Sequence, residues 1–211
     1  MKSLSILLPL FLASAVHAET WTNVYPNGST DANGQVMCGI QMMYLVPHQG
    51  KLYAGNGTQG ETETDRYPKA AQVPVLDGPR ASWRVEKQFT TDSPRLNSLK
   101  SFPFETDGKG RSIPRETLLI AAAGNRGKSF SAFVRDDATG NWIETDSVPM
   151  PRTPANVQPR SMTLYRDKVT GIQHVMVGFV GDGVLRGAYD PGHRSRLSWE
   201  PEPEFIPEKP W

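Results

Sequence analysis

Residues 159–200, PRSMTLYRDKVTGIQHVMVGFVGDGVLRGAYDPGHRSRLSWE, read as four short strands in a row. Residues 161–165 extend, RDKVTG (166–171) is a polar turn, and HVMVGFV (174–180) is a Val-rich run too short for a typical helix. GDG (181–183) punctuates the chain, VLRGAYD (184–190) extends again, and a Pro/Gly/Arg turn leads to a last strand carrying Trp199. Four antiparallel strands with tight turns make one small sheet, which cannot bury both faces unaided.

Upstream the same order recurs twice. Strands are expected over 96–104, 117–124, 129–136 and 141–145, and before them over 41–46, 51–55, 73–77 and 82–86. The fourth strands carry Trp83, Trp142 and Trp199, separated by 59 and 57 residues, and Trp21 lies 62 residues before Trp83. A repeat of this period with four strands per unit predicts an all-β partial β-propeller. The expected blades cover about 38–88, 94–148 and 158–205 of a single domain spanning 19–205, with a lone outer strand over 19–26 around Trp21.

The N-terminus, MKSLSILLPLFLASAVHA, has a lysine, an apolar run and a small-residue cleavage site. It is read as a Sec signal peptide over 1–18, which predicts export to the periplasm or beyond. The apolar run is too short for a membrane anchor, and no cysteine sits at the cleavage point for a lipid. Removing it leaves 22 basic and 22 acidic residues among 193, a balance that argues against nucleic acid or an anionic membrane as partner. The single cysteine, Cys38, cannot form an internal disulfide and is expected to be a small buried residue at a strand start. Long polar stretches at 56–72 and 106–116 read as surface insertions of the kind that carry specificity, and 206–211 as a Pro-rich tail.

Residues that invite a chemical role each have a structural rival. AAGNRGKS (122–129) satisfies a loose phosphate-loop pattern, but SFSAFVRDD follows it, which alternates as a strand, where a phosphate loop needs a helix N-terminus. It is read as a hairpin turn. Asp77, Asp136 and Asp190 each close a third strand, and the repetition marks turn-formers rather than catalysts. Arg95 and Arg160 precede the first strands of units two and three. In a propeller those strands line the channel, so the pair is the candidate ligand-binding set, for an anionic group held by guanidinium forks. The rival reading is inter-blade scaffolding. His48, His174 and His193 show no metal-ligand spacing, so no metal site and no cofactor are expected, and no G-x-S-x-G elbow announces a nucleophile.

LLIAAAG…SAFVRDDATGNWIE and RSMTLYRDKVTGIQHVMVGF…GVLRGAYDP…LSW resemble blades of secreted bacterial β-propeller proteins of uncharacterised function, over roughly residues 38–205. DATGNW (137–142) is also similar to the Asp-box of sialidase-type propellers, with its glycine displaced by one. The resemblance implies a propeller architecture and carries no catalytic residues. Three blades fall short of a closed ring, so the chain is expected either to be the front part of a longer propeller or to complete the ring by self-association through exposed blade faces. The expected function is an exported binding protein whose rim loops hold a glycan, peptide or partner protein. The alternative is a propeller-type enzyme, acting on carbohydrate or an anionic small molecule through Arg and Asp side chains at the channel.

Overall fold

The computed structural model describes residues 25, 27–39, 41–57, 70–150 and 156–204, and strands make up its regular structure. In β13 (Gly183–Tyr189) every second residue, Gly183, Leu185, Gly187 and Tyr189, is buried, the period-two pattern of a strand with one face against a core. The described residues contain strands, bridges and turns and no helix. Residues 1–18, read above as a signal peptide, Trp21 and the tail over 206–211 lie outside the described residues.

Three sheets have four strands, each pairing in chain order and antiparallel. Sheet one is β1 (Gln41–His48), β2 (Lys51–Gly57), β3 (Gln72–Leu76) and β4 (Arg84–Gln88). Sheet two is β5 (Leu96–Thr106), β6 (Ser112–Ala123), β8 (Phe133–Arg135) and β9 (Trp142–Glu144). Sheet three is β11 (Pro159–Arg166), β12 (Gln173–Phe179), β13 and β14 (Leu197–Trp199). A two-stranded sheet joins β7 (Ser129–Phe130) to β10 (Val148–Pro149).

The ladders let the three sheets be superposed by register. Tyr53 opposite Val46, Ile120 opposite Lys100 and Met176 opposite Thr163 occupy one position. Tyr53, Val73 and Val75 of sheet one pack against Leu96, Leu99, Leu119 and Ala121 of sheet two. The opposite face of sheet two, with Phe102, Leu118, Ile120 and Val134, packs against Met162, Val175, Val177 and Leu185 of sheet three. Each sheet thus turns the same face forward onto the back of the next. This explains why the whole run from Leu118 to Ala123 in β6 is buried: sheet two is covered on both sides. The closest approaches between sheets are made by β5, to β1 and β2 on one side and to β11 and β12 on the other, so the first strands gather at a common hub.

The ends of the stack differ from the apolar faces expected of an open fan. The back of sheet one is covered by the chain before β1, with Met37 buried against Ala54, Trp83 and Val85, and Tyr25 set edge-on to Trp83 at 6.0 Å. The far face of sheet three is mixed: Thr163 and Tyr165 are exposed, and Arg186 pairs with Glu204 at 2.6 Å.

Two sequence expectations need correction. The strand over 129–136 is split, because Phe130 turns away as β7 to lie between sheets two and three, 4.8 Å from Phe179 and 5.4 Å from Trp199. Ala132 and Thr145 bridge the break, the Ala132 N–H donating to Thr145 Oγ1 at 3.0 Å and the Thr145 N–H to the Ala132 carbonyl at 2.9 Å. The stretch 106–116 is not a loop but the end of a long β5–β6 hairpin whose tip is the turn after Asp107. Gln173 docks this hairpin on sheet three, its Nε2 donating to the Pro103 carbonyl at 3.0 Å and its Oε1 accepting from the Glu105 N–H at 2.6 Å.

The tryptophans stand at one register on the outer strands: Trp142 lies opposite Arg135 and Trp199 opposite Gly187, which are equivalent positions, and Trp83, one residue before the Arg84 that pairs with Val75, falls at the same place. A Cβ on Gly187 would lie 2.5 Å from Trp199 Cε3, with the ring pinned behind by Phe130. Gly187→Ala is therefore expected to destabilise the protein by about 1–3 kcal/mol, read as a lowered urea midpoint at unchanged slope.

Candidate functional site

Polar side chains concentrate where sheets one and two meet. Arg135, at the end of β8, reaches across to Glu86 in the middle of β4, Nε to Oε1 at 2.6 Å, with side chains only 6% and 7% exposed. The Trp142 indole N–H donates to the same Oε1 at 3.2 Å, and Arg84 approaches Oε2 at 3.3 Å. Burial pulls the Arg135 pKa down, but its bonds to Glu86 and Asp137 outweigh this and leave it raised. Its guanidinium also lies over the Tyr53 ring, 5.3 Å from the centroid. Burial pushes the Tyr53 hydroxyl up to about 12, with the nearby Glu86 charge adding to it. That hydroxyl has no hydrogen-bond partner among the described residues.

Arg135 Nη1 donates to Asp137 Oδ1 at 2.7 Å, and His48 joins from the end of β1. His48 Nε2 lies 3.0 Å from both Asp137 carboxylate oxygens, and Nδ1 lies 2.9 Å from Ser101 Oγ on β5. The interface between sheets two and three repeats the pattern. The Trp199 indole N–H donates to Thr145 Oγ1 at 2.9 Å, His193 Nε2 meets Asp146 Oδ2 at 3.1 Å, and His193 Nδ1 meets Ser195 Oγ at 2.7 Å. Glu86 stands three residues after Trp83 and Thr145 three after Trp142, so each indole reaches the same place on the preceding sheet.

Grooves open on the surface of the described residues. One, of about 420 Å³, lies between the β5–β6 hairpin tip and the β13–β14 edge, lined by Lys109, Arg111, Asp190, Glu200 and Trp199 among others. A second, of about 400 Å³, runs along the hub between β1 and β5, lined by Val46, Pro47, Lys100, Ser101 and Arg115. A third, of about 320 Å³, holds Lys87 over Phe89 and Phe133.

The residues singled out in the sequence do not form one site. Arg95 and Arg160 are not at matching places. Each first strand begins with a bulge whose extra residue is Met43, Asn97 or Arg160, so Arg160 corresponds to Asn97 while Arg95 lies two positions earlier. Arg95 is half-buried with Nε 3.2 Å from Met43 Sδ, Arg160 is exposed, and neither lines any of the three grooves. Asp136 accepts from the Ala138 N–H and the Thr139 hydroxyl, which lowers its pKa, and Asp190 accepts from the Gly192 N–H; both hold turns. Asp77 does not. It pairs with Lys51 at 2.6 Å and Arg84 at 2.8 Å, and by register its counterpart on β13 is Ala188 rather than Asp190. In the Asp-box-like DATGNW, Asp137 points at His48 and Arg135, while Gly140 adopts φ +76° to close the turn.

The phosphate-loop-like stretch is followed by β7, with no helix behind it. Cys38 is fully buried ahead of β1, its N–H donating to Gln72 Oε1 at 2.9 Å. Burial, with the Arg186 charge beside it, lowers the pKa of His174. Among the described residues no group of His, Cys, Asp or Glu is arranged to hold a metal ion, and no helix is long and apolar enough to cross a membrane. Comparison with protein-family models, curated proteins and solved structures finds no match to this chain.

Truncating one partner of a buried ion pair strands the other. Glu86→Ala is therefore expected to cost about 3–5 kcal/mol in urea unfolding, against less than about 1 kcal/mol for the surface residue in Asp77→Asn at pH 7. The hydrogen bonds from Arg84 and Lys51 hold Asp77 down to about 2. A carboxyl depressed by folding contributes fully above its unfolded value of about 3.9 and loses that contribution as pH falls through its folded value. Asp77→Asn should flatten the loss of stability between about pH 4 and pH 2, modestly because the side chain is partly in solvent.

Proposed function

We propose that the chain is an exported binding protein built as a partial β-propeller, and that the groove between the β5–β6 hairpin tip and the β13–β14 edge holds a glycan. Export rests on the tripartite pattern of residues 1–18. The propeller reading is supported by forward-to-back stacking of three four-stranded sheets with their first strands at a hub.

The observation that carries the ligand class is the lining of the 420 Å³ groove, where charges of both signs surround one indole. Asp190 and Glu200 are acceptors for sugar hydroxyls, Lys109 and Arg111 are donors, and Trp199 offers an apolar edge to the C–H face of a ring. The mixed charge disfavours a purely anionic ligand, and the volume lies within the range of small-molecule sites. Trp199, Asp190 and Arg111 also serve the fold, so the test falls on Lys109 and Glu200.

Screening the purified protein on a glycan array, then titrating the best binder calorimetrically, should give saturable binding. Lys109→Ala and Glu200→Gln should each weaken it about tenfold, about 1.4 kcal/mol, at unchanged thermal midpoint. An array with no binder, or a binder indifferent to both substitutions, overturns the assignment of this groove.

A further inference from the structure

The two Ser–His–Asp chains share their frame, a serine hydroxyl on Nδ1 and a carboxylate on Nε2, and differ at the serine. Around His193 the serine is committed: Ser195 is 1% exposed and its hydroxyl donates to the Leu197 carbonyl at 2.9 Å, so that chain is a strut. Around His48 the serine is not. Ser101 Oγ has no hydrogen-bond partner other than His48 Nδ1 among the described residues, and the half-exposed side chain lines the hub groove of about 400 Å³. The geometry points to an acyl-transfer site here, with Ser101 as nucleophile, His48 as general base, and small carboxylic esters carrying an anionic group as the substrate class.

The protonation pattern follows from the contacts. Ionised Asp137 can only accept, so the neutral imidazole carries its proton on Nε2, facing that carboxylate, and turns its Nδ1 lone pair to the Ser101 hydroxyl. The imidazole cannot swing away: His48 is 4% exposed, and Arg135 holds Asp137 from the other side at 2.7 Å. This is a nucleophile, a base and an orienting carboxylate within hydrogen-bond reach, recognised by role rather than by chain order or by which ring nitrogen faces which partner. The groove supplies the substrate class. Val46 and Pro47 form an apolar wall for the acyl chain, and Lys100 and Arg115 are exposed cations for a carboxylate on the substrate.

In the reaction, Ser101 Oγ bonds to the ester carbonyl carbon as its proton passes to His48 Nδ1. The carbon–oxygen bond to the alcohol breaks, and the alcohol leaves with that proton. Water, deprotonated by the same nitrogen, then releases the carboxylic acid and restores the serine. Ester and water become acid and alcohol, with no other reactant needed.

The site is separate from the glycan groove, so either assignment can fail alone. The test incubates the full-length protein with a fluorophosphonate probe and maps the adduct by peptide mass spectrometry. In parallel it follows release of 4-nitrophenol from 4-nitrophenyl acetate and from mono-4-nitrophenyl succinate. The expected result is an adduct on Ser101, with hydrolysis reduced about a hundredfold or more in Ser101→Ala and His48→Gln. Lys100→Ala combined with Arg115→Ala should abolish the preference for the succinate ester over the acetate. No adduct on Ser101 in the unmodified protein, a readout that needs no variant to fold, overturns the proposal. So does hydrolysis equal to that of Ser101→Ala.

Discussion

Neither face of a small four-stranded sheet can be hidden by that sheet, so each must take its cover from a neighbour. Sheet two meets this requirement on both sides, which is why β6 ends in a continuous apolar run from Leu118 to Ala123 where β13, with one inward face, alternates. Sheets one and three depend on it in turn, and their remaining faces are closed differently: one by the chain before β1, the other by polar side chains that need no cover. Apolar faces alone tolerate sliding. Hydrogen-bonded groups between the sheets do not, because a slipped pair leaves an unsatisfied buried charge. Glu86, Arg135 and Trp142 at one interface, and Thr145 and Trp199 at the other, fix how far each sheet is advanced over the last.

Much of the architecture was legible because it is local. Strand-length apolar runs, turn residues and evenly spaced tryptophans located all three four-stranded sheets to within a few residues. What the sequence concealed depends on long-range contact. The departure of β7 follows from Phe130 finding Phe179 and Trp199, and the long hairpin is held out by Gln173, some seventy residues away along the chain. Arg95 and Arg160 looked equivalent because both stand ahead of a strand, but only a ladder reveals a bulge. The polar chain from Ser101 through His48 to Asp137 joins residues 53 and 89 apart, with no spacing by which a linear reading could bring them together.

Buried charge and groove chemistry also sort by position. Groups that hold one sheet to another lie between faces and are nearly all satisfied by partners. The charged groups lining the hairpin groove, Lys109, Arg111, Asp190 and Glu200, lie beyond the strand ends: Asp107 Oδ1 accepts from the N–H groups of Lys109 and Arg111, leaving the Lys109 side chain outside the turn's own bonding. Ser101 is the exception, a residue inside the stack with one side open to solvent.

The bulge that heads each first strand has its own consequence. An extra residue in a ladder is excused from pairing and from the in–out rhythm of its neighbours, so its identity is not dictated by the alternation of the strand. A thioether in Met43, an amide in Asn97 and a guanidinium in Arg160 occupy that one socket in the three sheets. The socket carries different duties from sheet to sheet: Asn97 is buried and accepts the Gly124 N–H at 3.1 Å, tying the bulge to the end of β6, whereas Arg160 stands in solvent, where the chemistry at the inner end of a sheet can change without disturbing the layers behind it.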